Sequence, residues 1–409
     1  MCSFKFYHFI RFSLVFLVTL LFVHCDKNPV NPNSNAIQWT YLFYCDADFD
    51  GGYTPIDQFK SEAASSQAIN VFVLEDTYDE SSRLFTINKK HQIKNIEYIG
   101  EKNMGSAETL TNFIKQGKTK YPADRYILAF YNHGAGWLGN CIDETSEDML
   151  TMDEIKQALL ASGGVDIILN TAPCLMGAYE SVYELRDCTT MYIGSENTSG
   201  YMWWYDTIKD IFDLINSQPS ISCRKLSTSI INFVYENRTQ WSHMSGFENL
   251  TMTAVDPKKL SASAILLDSL AISYMPEIDF LLEHLSFNTK WYRESIDLIW
   301  LLEQIAEFEE SKIRKAFINI IINEVNEAII NECHGSNMQT SHGLSIFFSN
   351  NPLYNDPDYG LDFALDTKWD EFVLQFISAY LANKNKIENQ RNFPILSSNF
   401  NLPYFPYSQ

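Results

Sequence analysis

The stretch that decides the fold reads Tyr126-Ile127-Leu128-Ala129-Phe130-Tyr131-Asn132-His133-Gly134-Ala135-Gly136-Trp137. A second stretch answers it downstream: Val165-Asp166-Ile167-Ile168-Leu169-Asn170-Thr171-Ala172-Pro173-Cys174. Each opens as a short apolar run, the pattern of a strand buried on both faces. Each then breaks into loop, with a histidine at the mouth of the first and a cysteine at the mouth of the second. Between them, Thr151 to Ser162 has helical spacing. Met152, Ile155, Leu159 and Leu160 are predicted to form its inner face, with Thr151 and Glu154 as a capping box.

Strand, helix and strand in this order imply a right-handed parallel crossover, which brings the carboxyl ends of both strands to one sheet edge. His133 and Cys174 are thereby predicted to meet. Leu175 to Leu185 reads as a helix. A helix amino terminus and a nearby imidazolium both favour thiolate, and together they bring a cysteine pKa down to roughly 3.5–7.5. Glycine at position 134 keeps the backbone open, which suits its N–H to binding a developing oxyanion. These are the parts of a Cys/His nucleophilic site.

Further segments fall in a familiar order. Asn103-Met104-Gly105 and Glu108-Thr109-Leu110 come first, then the histidine loop. Cys174-Leu175-Met176-Gly177 follows, with Glu180, Tyr183-Glu184-Leu185 and Gly194-Ser195-Glu196 behind it. Gly343-Leu344-Ser345-Ile346-Phe347-Phe348 and Trp369-Asp370-Glu371-Phe372 close the series. From about Trp39 to Tyr380 the chain resembles the clostripain family of cysteine endopeptidases, in the clan of caspases, legumains and gingipains. The resemblance implies an α/β fold: a caspase-like three-layer sandwich with a mainly parallel central sheet and a helical carboxyl-terminal extension. It implies Cys174 as nucleophile, His133 as its base and acid partner, and an oxyanion site from the backbone of Gly134 and Cys174. Ala172, Ser195 and Glu196 are the substrate-pocket positions, with Glu196 weighed between a substrate contact and a structural hydrogen bond.

One departure bears on specificity. The family usually has an acidic residue two positions before the cysteine, which helps hold an arginine or lysine of the substrate. Here that position is Ala172, followed by Pro173 where a small residue is usual, and Gly200-Tyr201-Met202-Trp203-Trp204 replaces a Gly-Asp-Gly-Trp-like turn. The expected activity is peptide-bond hydrolysis not strictly confined to Arg/Lys sites. The alternative is an inactive binding protein on the same scaffold, argued from the backbone N–H that Pro173 lacks.

Composition bounds the rest. The 409 residues are 46% hydrophobic and 20% charged, as in globular proteins, and the net charge of −21 argues against nonspecific nucleic-acid binding. The expected partners are polypeptide substrates, with no nucleic acid and with a membrane reached only through a lipid anchor, and the chain is expected to be a monomer. Lys5 and Arg11 precede the apolar run Phe12–Val23, too short for the about 20 residues of a spanning helix and typical of a signal peptide. Cys25 and the polar stretch behind it resemble a lipoprotein signal and tether, although His24 departs from the usual small residue. The expected organisation is therefore signal peptide 1–24, tether 25–38, catalytic domain 39–240, a mostly helical region 241–383 and a tail 384–409.

Besides Cys2, Cys25 and Cys174, five cysteines remain: Cys45, Cys141, Cys188, Cys223 and Cys333. Their spacing shows no disulfide framework, so each reads as a buried structural thiol. No cofactor is required by the sequence and no metal ligand is assigned. Asp46-Ala47-Asp48-Phe49-Asp50-Gly51 fits the first half of an EF-hand calcium loop, but Asp57 at the twelfth position and a preceding strand favour a simple turn. Asp143 and Asp148 read as solvating the loop after His133. His334 and His342 also precede glycines, yet neither is expected at the sheet's carboxyl edge. Ser311 to Glu332 is predicted as one helix, burying Ile313, Phe317, Ile320, Ile321, Val325 and Ala328.

Overall fold

A computed structural model describes residues 37–49, 53–78, 80–198, 202–237, 247–285, 295–349 and 360–391. The predicted signal peptide, Cys25 and most of the tether, Gly200-Tyr201, the side chains of Trp203 and Trp204, and the tail beyond Arg391 lie outside the described residues.

Along the chain come β1 (Trp39–Ala47), α1 (Ile56–Glu62), β2 (Ile69–Thr77), β3 (Glu80–Ile87), β4 (Ile93–Tyr98), α2 (Ala107–Lys120), β5 (Arg125–Tyr131), β6 (Gly139–Asp143), β7 (Asp148–Thr151), α3 (Met152–Ser162), β8 (Val165–Asn170), α4 (Tyr179–Glu184), β9 (Thr189–Gly194), α5 (Met202–Ser217) and α6 (Cys223–Asn237). Then follow β10 (Thr251–Val255), α7 (Leu260–Tyr274), α8 (Ile278–His284), β11 (Ser295–Asp297), α9 (Leu298–Phe308), α10 (Lys312–Ala328), β12 (Ile329–His334), β13 (Ser345–Phe347), α11 (Asp362–Asp366) and α12 (Trp369–Arg391).

The central sheet has the order β12-β10-β9-β8-β5-β1-β2-β3-β4. Its middle five strands, β9 to β2, are parallel, and antiparallel pairs extend it on both sides. β1 shows how the sequence makes three layers. All nine of its residues are buried, and they alternate between two cores. Leu42 and Tyr44 join the core under α2, α3, α4, α7, α9, α10 and α12. Trp39, Tyr41, Phe43 and Cys45 join the core under α1, α5 and α6. Full burial of one such aromatic side chain stabilises the fold by about 1.5–3 kcal/mol. The result is the predicted α/β sandwich.

The deciding crossover is as expected. β5 and β8 pair in parallel through Ile127–Ile167 and Phe130–Asn170, and α3 between them begins at a complete Thr151/Glu154 capping box. Leu160 is an exception: it is 58% exposed, and Ala158 takes its place on the inner face.

Other expectations need correction. The helix predicted from Leu175 begins only at Tyr179, because Leu175 has a left-handed backbone (φ 64°) and Ala178 bridges to Ser345. The helix predicted to Glu332 stops at Ala328, where Ile329 turns extended and starts β12. Its buried face is Ile318, Ile321, Val325 and Ala328, whereas Ile313 and Ile320 are exposed. β10 was not foreseen; it runs antiparallel to β9 and carries β12, so strands from beyond residue 240 complete the sheet. Within the Gly343–Phe348 segment, β13 pairs with β11 in a small separate sheet. The last helix, α12, continues through residues 384–391, past the expected boundary of the helical region at 383.

Candidate active site

Five parallel strands end at one edge, and the histidine and cysteine loops leave from two adjacent ones, β5 and β8. The histidine loop is set by Asn132, a residue whose role the sequence reading missed. Buried at the end of β5, its amide donates to the carbonyls of Asp46 and Ile142 (both 3.1 Å). Its side-chain oxygen accepts from the Ile142 N–H (3.2 Å) and from the N–H of His133. One amide thus ties β1, β5 and β6 together where His133 leaves the sheet. His133 itself is exposed, its ring edge-on to Phe49 at 5.1 Å. Its carbonyl accepts from the Cys141 N–H (3.1 Å), which folds the β6–β7 hairpin back against the loop.

The cysteine loop is held in the same way. Asn170, buried at the end of β8, donates to the Ile193 carbonyl (2.9 Å), and the Thr171 N–H reaches the Phe130 carbonyl (3.0 Å). Beyond Cys174, Leu175 N–H bonds to the Asn197 carbonyl (3.0 Å) and Gly177 N–H to the Ser195 carbonyl (2.7 Å), so the segment lies along the residues that follow β9.

The two loops touch at Gly134. A Cβ there would stand 2.2 Å from the Cys174 carbonyl oxygen, 2.7 Å from its nitrogen and 2.9 Å from the Pro173 carbonyl carbon. Only glycine permits this approach, which packs the residue after His133 directly on the backbone of Cys174. Cys174 is partly exposed, as an attacking thiol must be. Among the described cysteines none forms a disulfide. Cys45, Cys141, Cys188 and Cys333 are buried, as read from sequence, while Cys223 is only partly so. Burial pushes the Cys45 and Cys141 thiols well above their ordinary range and Cys188 up to about 11, so none of those three is a neutral-pH nucleophile. The helix predicted to follow Cys174 directly is displaced: Leu175 to Ala178 separate the cysteine from the six-residue α4, which begins at Tyr179.

The three pocket positions differ. Ala172 is partly exposed beside Cys174. Ser195 is buried, with its hydroxyl on the Asn197 carbonyl (3.0 Å) and the Thr251 hydroxyl (2.9 Å). Glu196 is also buried. It accepts from the Ser341 hydroxyl and the Gly343 N–H (3.2 Å), with its other oxygen, Oε1, making no hydrogen bond. Burial first, then the neighbouring Asp297, push its carboxyl well above the usual range. Asp297 in turn holds the His342 imidazole (2.9 Å), and this bond leads the causes that raise His342.

Two readings are revised. His334 does lie at the carboxyl edge, because β12 runs parallel to β9 through the intervening β10; there its Nδ1 meets Glu332 (2.9 Å). Asp143 does not solvate a loop. It is fully buried, accepting from the N–H groups of Met104 (2.7 Å) and Ser146 (2.6 Å), while Asp148 accepts from the Asn103 amide (2.7 Å). Asp143 belongs to a group of four carboxylates with Asp48, Asp76 and Glu101, whose oxygens lie within 4.8 Å of one another. Burial pushes Asp76 up to about 8 and also raises Asp143 and Glu101.

Comparison with known proteins gives one answer at two levels. Among curated proteins, clostripain from Hathewaya histolytica is 27% identical over 313 residues, covering 62% of this chain; the match spans only 59% of clostripain's own length. Among solved structures, a secreted C11 cysteine protease from Bacteroides thetaiotaomicron, in complex with an irreversible peptide inhibitor, superposes with a TM-score of 0.59 at 18% identity, covering 83% of this chain and 99% of that one. An inactive zymogen C11 protease from Parabacteroides distasonis superposes with a TM-score of 0.56 at 19% identity, covering 83% and 98%. These likenesses establish the fold. The family model for the clostripain family, Peptidase_C11, matches residues 55–385, a span that includes both loops of the site, and the chain belongs to that family.

Proposed function

We propose that this protein is an exported cysteine endopeptidase in which Cys174 attacks the peptide carbonyl and His133 manages the proton. His133 takes the thiol proton and later delivers it to the leaving amine; water then hydrolyses the acyl-enzyme with His133 as base. The N–H groups of Gly134 and Cys174 receive the oxyanion. The observation that carries this reading is the contact at Gly134, which holds the backbones of the histidine and cysteine loops together at the carboxyl edge. Ala172 faces the substrate, and Ser195 and Glu196 support the pocket wall from behind. With no carboxylate at position 172, the residue before the scissile bond need not be basic.

The predicted signal peptide and Cys25 make the protein a lipoprotein of the bacterial cell envelope, or a secreted protein if Cys25 is not acylated. Among the described residues no helix is long and apolar enough to cross a membrane. A second reading, a binding protein on a peptidase scaffold, is favoured by buried Pro173, which withholds one N–H beside the oxyanion position. Incubation with a peptide bearing an irreversible electrophile separates the two. Covalent adduct at Cys174 at neutral pH, absent in a His133→Ala variant, supports the peptidase; an inert thiol supports the binding protein.

A further inference from the structure

We propose that Glu196 and Asp297 share one proton, as acid and carboxylate, and that this buried pair positions the backbone behind Cys174. The pair would serve the peptidase site proposed above, and its effect on catalysis rests on that reading. Three segments meet there. Glu196 follows β9, Asp297 ends β11, and Ser341 to Gly343 lead into β13. Glu196 Oε2 accepts from the Ser341 hydroxyl and the Gly343 N–H (3.2 Å). Asp297 accepts from the residue between them, from the His342 backbone N–H (2.7 Å) and from its Nδ1 (2.9 Å). Two carboxyl groups thus grip three successive residues.

Both side chains are buried, Glu196 2% and Asp297 0% exposed, and Asp297 lies within hydrogen-bond reach of Glu196. Among the described residues no lysine or arginine pairs with either acid; the imidazole of His342 faces Asp297 alone. Two neighbouring carboxylates withdrawn from water together resist double ionisation. The hydrogen bonds decide which of them keeps the proton. Asp297 receives three N–H groups, from Trp300 (2.7 Å) as well as from His342, a set that favours the charged form. Glu196, by contrast, has Oε1 buried with no donor. A proton there turns an orphaned acceptor into a donor and gives Asp297 a fourth partner, which a carboxylate can accept. Burial, followed by repulsion from Asp297, raises the Glu196 carboxyl in the same sense. The other titratable groups nearby are Glu303, beyond His342, and Glu332, which stands against Gly343 and is engaged by His334.

The pair lies directly on the residues that follow the nucleophile. On either side of Glu196, the Ser195 carbonyl accepts from Gly177 N–H (2.7 Å) and the Asn197 carbonyl from Leu175 N–H (3.0 Å). A Cβ at Gly177 would stand 2.7 Å from the Glu196 nitrogen. From the other partner, Ser345 N–H reaches the Gly177 carbonyl (3.0 Å). Loss of the proton would set two charges against each other, and the backbone after Cys174 would shift with Glu196. Because the folded chain favours the acid, its contribution to stability is complete below about pH 4.5 and is lost as pH rises through the raised value.

The experiment is denaturant unfolding of the full chain and of its Glu196→Gln and Glu196→Ala variants at pH 6 and pH 7. The rate of irreversible labelling of Cys174 by a peptide electrophile is measured on each folded protein at pH 7. A proton held by the folded state and released on unfolding raises the unfolding constant about tenfold per pH unit. Between pH 6 and pH 7 the parent's unfolding constant should therefore rise about tenfold more than that of Glu196→Gln, whose amide donates to Asp297 but does not titrate. Glu196→Ala should label at least about tenfold more slowly than Glu196→Gln, since a displacement of about 1 Å costs on the order of 100-fold. Equal pH dependence of unfolding in the parent and Glu196→Gln, or labelling of Glu196→Gln as slow as that of Glu196→Ala, overturns the proposal. Unfolding needs no turnover, so a parent that never labels would remove the peptidase reading while the two pH slopes still decide whether the proton is held.

Discussion

Replacing Gly134 by alanine tests the contact on which the active-site reading rests. The added Cβ would stand 2.2 Å from the Cys174 carbonyl oxygen and 2.7 Å from its nitrogen, so the two backbones must part by about 0.8 Å merely to reach the 3.0 Å limit for such contacts. The neighbours are backbone atoms, so no side-chain rotation relieves the clash. Misplacing a reacting group by about 1 Å costs on the order of 100-fold in rate. Overpacking of this kind costs about 1–3 kcal/mol of stability, less than the roughly 5–15 kcal/mol that holds a typical domain folded. The expected variant is therefore folded, with a modestly lowered Tm and a kcat/KM for peptide cleavage reduced about 100-fold. The assay pairs thermal unfolding with cleavage kinetics and with the rate of irreversible labelling of Cys174. A folded Gly134→Ala protein that cleaves and labels within threefold of the parent would refute the reasoning.

Three other perturbations have defined outcomes. Ala172→Asp restores a carboxylate two positions before the nucleophile; a charge-assisted contact of about 1.5–3 kcal/mol should raise kcat/KM for Arg or Lys before the scissile bond roughly 10- to 100-fold, and an unchanged preference would remove residue 172 from the pocket. Asn132→Ala deletes four hydrogen bonds at the point where β1, β5 and β6 meet, so unfolding by denaturant should show a loss of about 3 kcal/mol, with kcat falling more than KM rises. Glu180 is buried with Oε1 on the Phe347 N–H (2.8 Å), and burial pushes its carboxyl from an ordinary 4.5 up to about 7. The raised value favours folding fully below about pH 4.5, and that contribution disappears as pH rises through about 7, a change of roughly 3 kcal/mol that Glu180→Gln should abolish. Equal pH slopes for parent and variant between pH 5 and pH 8 would argue against it.

The sequence was most legible where one segment carried its own signal. β5 and β8 announce themselves as continuous apolar runs, and Thr151 with Glu154 marks the start of α3 as the structure has it. The loop positions of His133 and Cys174 follow from those three elements. Legibility failed where tertiary partners decide. β10 is a five-residue strand read only through its pairing with β9, and β12 follows α10 with no glycine or proline to mark the change. The inner face of α10 was right at Ile321, Val325 and Ala328; Ile318 then outcompetes Ile313 and Ile320 for the core at the amino-terminal end. The roles of Asn132 and of the four carboxylates were out of reach for another reason. Asn132 reads as the last residue of a strand, and the carboxylates lie on four segments with no spacing rule to join them.

The most direct measurement sets the protein beside a Cys174→Ala twin, incubates both with a denatured protein mixture, and reads the new amino termini by mass spectrometry. Cuts are expected only with Cys174 present, and the residue preceding each cut identifies what the pocket at Ala172 accepts. Cuts made equally by the twin, or by neither protein with or without added calcium, would contradict the assignment of Cys174 as a peptidase nucleophile.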